Sequence, residues 1–139
     1  RWHLRDMSVA ELDRLWHTNV RATWALTRAL LPALIKAKGT VVFVNSSIWM
    51  RSSANLGGYA ATKYASKAIA DALREEVAAD GVHVQSVFPG STAGDMQKRR
   101  AEDEGRPYDP DSLIQPDHIA RTVLDNLVSR ELDEIIISR

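Results

Sequence analysis

Residues 46–63 read SSIWMRSSANLGGYAATK, Ser46 through Lys63. A β-branched and aromatic run, TVVFVN over 40–45, ends directly on Ser46, and Tyr59-Ala-Ala-Thr-Lys63 follows a Gly-Gly pair. A short apolar run between Gly39 and polar residues is the pattern of a buried, parallel-type strand. Tyr59 and Lys63 stand four apart, on one face of the helix that opens there. An ammonium beside a phenol favours the phenolate, which predicts a Tyr59 pKa below the usual value of about 10. A phenol tuned in that way trades a proton with a substrate oxygen. The Ser46 hydroxyl, thirteen positions before Tyr59, is placed at a strand end to hold that oxygen.

Upstream, Met7 to Lys38 reads as one long helix. Ser8-Val-Ala-Glu11 has the form of a capping box, and Leu12, Leu15, Trp16, Val20, Leu26, Leu30, Leu34 and Ile35 recur at helical spacing. Pro32 should bend this helix, since the periodicity continues past it, and Gly39 is a natural stop. Downstream, the helix of Tyr59 spans 58–79 and ends at Asp80-Gly81. VHVQSVF over 82–88 is a further strand, leading straight into Pro89-Gly90, and His83 is expected to face solvent or a neighbouring helix. Segment 91–113 is charged, with mixed signs and two prolines, as in a solvated loop or short helix. A helix over 116–130, with Pro116 near its start, leads to a last apolar strand over 134–138. Helices alternating with strands in this way define an α/β fold with a parallel sheet.

The 139 residues suffice for one modest domain. With 45% hydrophobic and 26% charged residues and no net charge, the chain shows no footprint for nucleic acid or an anionic membrane. There is no cysteine, hence no disulfide framework or thiolate metal site, which fits the cytoplasm. No apolar run approaches the length of a membrane span, and RWHLRDM lacks the apolar core of a signal peptide.

Taken alone, Tyr-x-x-x-Lys is also the spacing of an ordinary exposed helix pair, and Ser46-Ser47 that of a loop after a strand. What those readings leave unexplained is the order of strand, hydroxyl, helix and Pro-Gly. In that order the chain resembles the short-chain dehydrogenase/reductases over nearly its whole length, with Ser46 rather than Ser47 at the family's distance from Tyr59. The resemblance implies a Rossmann-like, doubly wound parallel sheet. It further implies reversible hydride transfer between NAD or NADP and a small carbonyl or alcohol. Tyr59 would be the general acid/base, Lys63 would lower its pKa and bond the nicotinamide ribose, and Ser46 would hold the substrate oxygen. Asn19, twenty-seven residues before Ser46, would kink its helix and support a proton relay. An Asn in a helix is otherwise a solvated or locally bonded residue. Pro89, Gly90 and Thr92 would close over the nicotinamide, with Gly94 standing where the family often has a Thr.

The resemblance also has a gap. With seven glycines, the sequence contains no G-x-G-x-x-G turn for a pyrophosphate. Nor does it hold the residue that selects NAD over NADP, or the family's Asn-Asn-Ala-Gly turn. The expectation is the C-terminal portion of a family member, with residues preceding Arg1 in the natural protein. A truncated, non-catalytic relative acting as an oligomerisation module is the alternative. Segment 91–113 takes the place of the family's substrate lid, and Trp49 either lines a substrate pocket or packs under its loop. Ala61, Ala65, Ala68 and Ala72 make one small face on helix 58–79. That face either packs closely on the chain's own sheet or pairs, with helix 7–38, against a second copy in a homodimer or homotetramer.

Overall fold

The computed structural model describes residues 3–50 and 54–138. Ser8 caps the first helix: its hydroxyl accepts from the Glu11 amide at 3.2 Å and donates to the Glu11 carboxylate at 3.2 Å. Glu11 thus reaches back to the Ser8 hydroxyl, not to its amide. Helix α1, Val9–Trp16, passes into a π-helical turn, His17–Arg21, and then into α2, Ala22–Ala37. The single helix expected over 7–38 is therefore interrupted, and not at Pro32, which lies inside α2. The interruption falls on His17-Thr18-Asn19-Val20, four consecutive residues of modest helix propensity. There the Ala22 amide donates to the His17 carbonyl, five residues back. At the far end the left-handed residue is Lys38 (φ 46°, ψ 45°), not Gly39. The Gly39 amide closes the helix by donating to Leu34 O at 2.9 Å.

Strand β1, Thr40–Val44, is followed by a 3-10 turn, Ser47–Met50, and by α3, Gly57–Glu76. α3 stops three residues earlier than the periodicity suggests, because Ala78–Asp80 tightens into a 3-10 turn before the left-handed Gly81 (φ 72°). Then come β2, His83–Pro89, α4, Asp95–Asp103, a 3-10 turn at Pro110–Ser112, α5, Pro116–Ser129, and β3, Glu134–Ile137. The charged segment 91–113 therefore contains a helix of nine residues, α4.

The three strands form a parallel sheet in the order β1-β2-β3. Thr40 to Val44 pair in register with His83 to Val87, and Ser86 to Pro89 with Glu134 to Ile137. Side chains alternate between the two faces. On one face Phe43 and Val84 pack with Ala70 and Leu73 of α3, with Val77 just beyond its end, and with Leu31, Leu34 and Ile35 of α2. On the other, Val42, Val87, Ile135 and Ile137 pack with Ile114 and with Ile119 and Val123 of α5. Helices on both faces of a parallel sheet make the arrangement Rossmann-like and doubly wound. β2 is central, and every residue from Val84 to Pro89 is buried.

His83 does not face solvent: its side chain is 11% exposed, with Nε2 3.4 Å from Asp133 Oδ1. Several large apolar side chains are exposed, among them Val44 62%, Trp24 58%, Leu26 63% and Leu30 48%. The small face of α3 also points outward, since Ala61, Ala68 and Ala72 are exposed and Ala65 is half-buried. The face that packs on the sheet is instead the one carrying Ala60, Ala70 and Leu73. Among the described residues no helix is long and apolar enough to cross a membrane.

Candidate active site

β1 and β2 end side by side, and the groups singled out above gather at those carboxyl ends, where ligands of open α/β sheets bind. Asn45 joins the end of β1 to its neighbours. Its amide donates to Val87 O at 2.8 Å, and its Nδ2 donates to Lys63 O at 3.1 Å, so strand end and helix are tied together. The next residue, Ser46, accepts from the Ile48 amide at 3.3 Å, and its hydroxyl is near enough to the Tyr59 phenol to pull that group's pKa down. The structure thus brings Ser46 and Tyr59 together across thirteen residues of sequence.

The electrostatics differ from the expectation. Burial pushes the Tyr59 phenol above its usual value of 10.0, and the opposing pull of Ser46 does not overcome it. Burial also lowers the pKa of Lys63. Its ammonium donates to Val44 O at 3.3 Å and lies 5.8 Å from the centroid of the Tyr59 ring. The four-residue spacing therefore does place Lys63 by the ring. In this arrangement, however, the charge is spent on a backbone carbonyl, and desolvation sets the pKa of the phenol.

Asn19 sits inside the π-turn and faces α3. Its Nδ2 donates to Thr62 Oγ1 at 3.0 Å, and its carbonyl accepts from Thr23 Oγ1 at 3.0 Å and from Ser66 Oγ at 3.0 Å. It is a bonded residue two elements away from Ser46, not a solvated one.

At the end of β2, Pro89 is buried, and a Cβ on Gly90 would stand 3.2 Å from Ile114 Cδ1 and 3.9 Å from Ser47 Oγ. Glycine there keeps bare backbone between the two strand ends. Thr92 Oγ1 donates to Gly90 O at 3.0 Å. Segment 91–94 is held by a parallel bridge of Thr92 to Ile114 and by the Gly94 amide, which donates to Tyr108 Oη at 3.0 Å. Met50 is 56% exposed beside the site's loop. The Trp49 side chain and residues 51–53 lie outside the described residues, and with them the alternatives for Trp49. Among the described residues no group of three His, Cys, Asp or Glu is placed to hold a metal ion.

The sequence reading missed Asn45, Thr62 and Ser66. The signal for the last two was present: both lie on the stripe of α3 that turns inward, four residues apart, where the other members are apolar or small. Asn45 closes an otherwise apolar strand and is 6% exposed.

The chain matches the model of the short chain dehydrogenase family over residues 2–105, and it belongs to that family. An uncharacterized short-chain type dehydrogenase/reductase of Sinorhizobium fredii, y4eK, is 31% identical over 122 residues, which are 85% of this chain and 49% of that protein. A short chain dehydrogenase of Salmonella enterica serovar Typhi superposes with a TM-score of 0.84 at 29% identity, over 96% of this chain and 56% of that one. A Shigella flexneri protein described as a short chain dehydrogenase, solved with NADP, gives 0.80 at 30% identity, over 96% and 56%. The chain spans about half the length of these relatives or less, and 37% of the uncharacterized Escherichia coli oxidoreductase YciK.

Proposed function

We propose that this chain carries the proton-transfer and substrate half of an NAD(P)-dependent oxidoreductase that interconverts a small carbonyl compound and its alcohol. The observation that carries the reading is the Ser46 hydroxyl at the end of β1, near enough to the Tyr59 phenol to draw its pKa down, with Lys63 one helical turn beyond. The residues present fit the nicotinamide end of such a cofactor. A Cβ on Gly90 would crowd Ile114 Cδ1 at 3.2 Å, so glycine keeps that strand end bare; Pro89, Gly90 and Thr92 would border the ring, and Tyr59 and Lys63 would meet the ribose. When bound, NAD(P) supplies the hydride.

The chain's own residues handle the proton and the oxygen. A phenol held above its usual pKa keeps its proton at neutral pH, which suits Tyr59 to donate it to the carbonyl oxygen as charge develops there. Ser46 donates a hydrogen bond to the same oxygen and fixes its distance from Tyr59. Turning Lys63 Nζ from Val44 O toward the Tyr59 oxygen favours the phenolate, which readies the reverse reaction. Asn19 supports the relay behind Lys63 by holding α3 in place. Tyr59→Phe removes one hydroxyl from a half-buried ring, so the fold should survive. Turnover should fall by about 10² to 10⁴, the share of a general acid. A folded variant retaining most of its rate with NADH or NADPH would sink the assignment.

A second reading rests on the outward apolar surface. Exposed Trp24 on one flank of α2, Leu26 and Leu30 on the other, and the small face of α3 suit these helices to pack against a second copy. This holds for an active homodimer or homotetramer and equally for a non-catalytic interaction module. Trp24→Glu with Leu30→Glu should convert the oligomer to monomer in sedimentation velocity; an unchanged sedimentation coefficient contradicts that surface. Turnover by the wild-type protein separates the two readings.

A further inference from the structure

The first turn of α3 carries Tyr59 and is built to be loose. It opens on Gly57-Gly58, its N-cap position is Leu56, and no side chain caps it. Two glycines and four orphan amides make such a turn prone to fray. The compensation comes from the side. Thr62, fully buried, accepts from Asn19 Nδ2 at 3.0 Å and donates to Tyr59 O at 2.8 Å, which makes a two-bond path from the π-turn to the backbone of Tyr59. One turn further, Ser66 Oγ lies 3.0 Å from both Asn19 O and Thr62 O, so the carbonyl and the amide of one Asn are each gripped by α3. Inside that turn the Asn19 carbonyl takes two side-chain donors, Thr23 Oγ1 and Ser66 Oγ.

We propose that Thr62 and Ser66 are positioning residues that clamp the π-turn at Asn19 onto the first turn of α3, and so set where the Tyr59 phenol stands relative to Ser46. The consequence for turnover rests on the reading of Tyr59 as proton donor; the clamp itself does not. A hydroxyl at 62 must both accept and donate. Val fills the same volume and does neither, whereas Ser does both.

The test is amide hydrogen exchange on the full chain, followed by mass spectrometry, for wild type, Thr62→Val, Thr62→Ser and Asn19→Ala. In Thr62→Val, exchange over 57–63 and 17–23 should quicken by roughly tenfold or more, while 70–76 in the same helix stays within about twofold. Thr62→Ser should restore protection in both segments. Asn19→Ala cuts the same link from its other end and should give the same local pattern, which decides the matter if Thr62→Val does not fold. Acceleration spread evenly along α3, no acceleration, or failure of Ser to restore protection overturns the clamp. In turnover with NADPH or NADH, Thr62→Val should lower kcat by about 10² at nearly unchanged KM for the cofactor, since a misplaced acid costs rate rather than binding. If the exchange pattern appears and the wild type turns nothing over, the functional reading fails and the clamp stands. If the wild type is active and exchange is uniform, the clamp fails alone.

Discussion

A phenol half-buried among apolar groups is harder to ionise than one in water, and Tyr59 in this chain is held above pKa 10.0 for that reason. Because the folded value is raised, the native state binds the phenolic proton more tightly than the unfolded chain. Its contribution to stability is complete below about pH 10 and is lost as the pH climbs through the higher folded value. Ultraviolet titration of the wild type minus that of Tyr59→Phe should show one phenol ionising above 10 in the cofactor-free protein. A difference curve centred near neutrality would contradict the electrostatics described here. The residues of this cluster were readable as a pattern: a hydroxyl at a strand end, then a phenol and an ammonium one turn apart. What the pattern does not contain is rotamer and solvation. Spacing puts Lys63 on the right face of α3, but only the fold shows Val44 O within its reach at 3.3 Å, and only burial shows which way the phenol shifts.

Each element was readable where one physical signal dominates, and shifted where two compete. β1 and β2 follow from their apolar runs, and α5 from Pro116 and its Ile119, Val123 stripe. The π-turn was hidden because hydrophobic periodicity continues across it, while the groups it bonds to, Thr62 and Ser66, lie far along the chain. His83 was misplaced for a similar reason: alternation along β2 gives a face, but the neighbour on it, Asp133, arrives from the loop before β3. That loop holds a further device of this kind. Asn126 of α5, 5% exposed, donates to Leu132 O at 2.7 Å and accepts from the Leu132 amide at 3.0 Å, acting as a backbone stand-in between α5 and β3. Asn126→Ala leaves both Leu132 groups without that partner and should cost about 1–3 kcal/mol in urea unfolding, with little change in slope. A loss below about 0.5 kcal/mol, the usual range for surface changes, contradicts that role.

At the scale of the molecule, three parallel strands and their helices place Tyr59, Ser46 and the bare backbone of Gly90 together at the carboxyl ends of β1 and β2. The doubly wound class could be read from the alternation of helices and strands; the outward direction of the Ala61, Ala68 face could not, because both faces of α3 are rich in small residues. The chain belongs to the short chain dehydrogenase family and spans about half the length of the relatives it matches or less. Its chemistry as an oxidoreductase is therefore the claim most in need of trial. The most direct trial follows the hydride itself: NADPH or NADH carrying deuterium at C4 is given to the protein with a panel of aldehydes and ketones, and the alcohols are examined by mass spectrometry. The account predicts one deuterium on the carbinol carbon of a turned-over substrate, formed about 10² to 10⁴ times more slowly when Tyr59→Phe replaces the wild type. Protein that binds the cofactor yet yields no labelled alcohol, or a Tyr59→Phe variant that labels as well as the wild type, would contradict it.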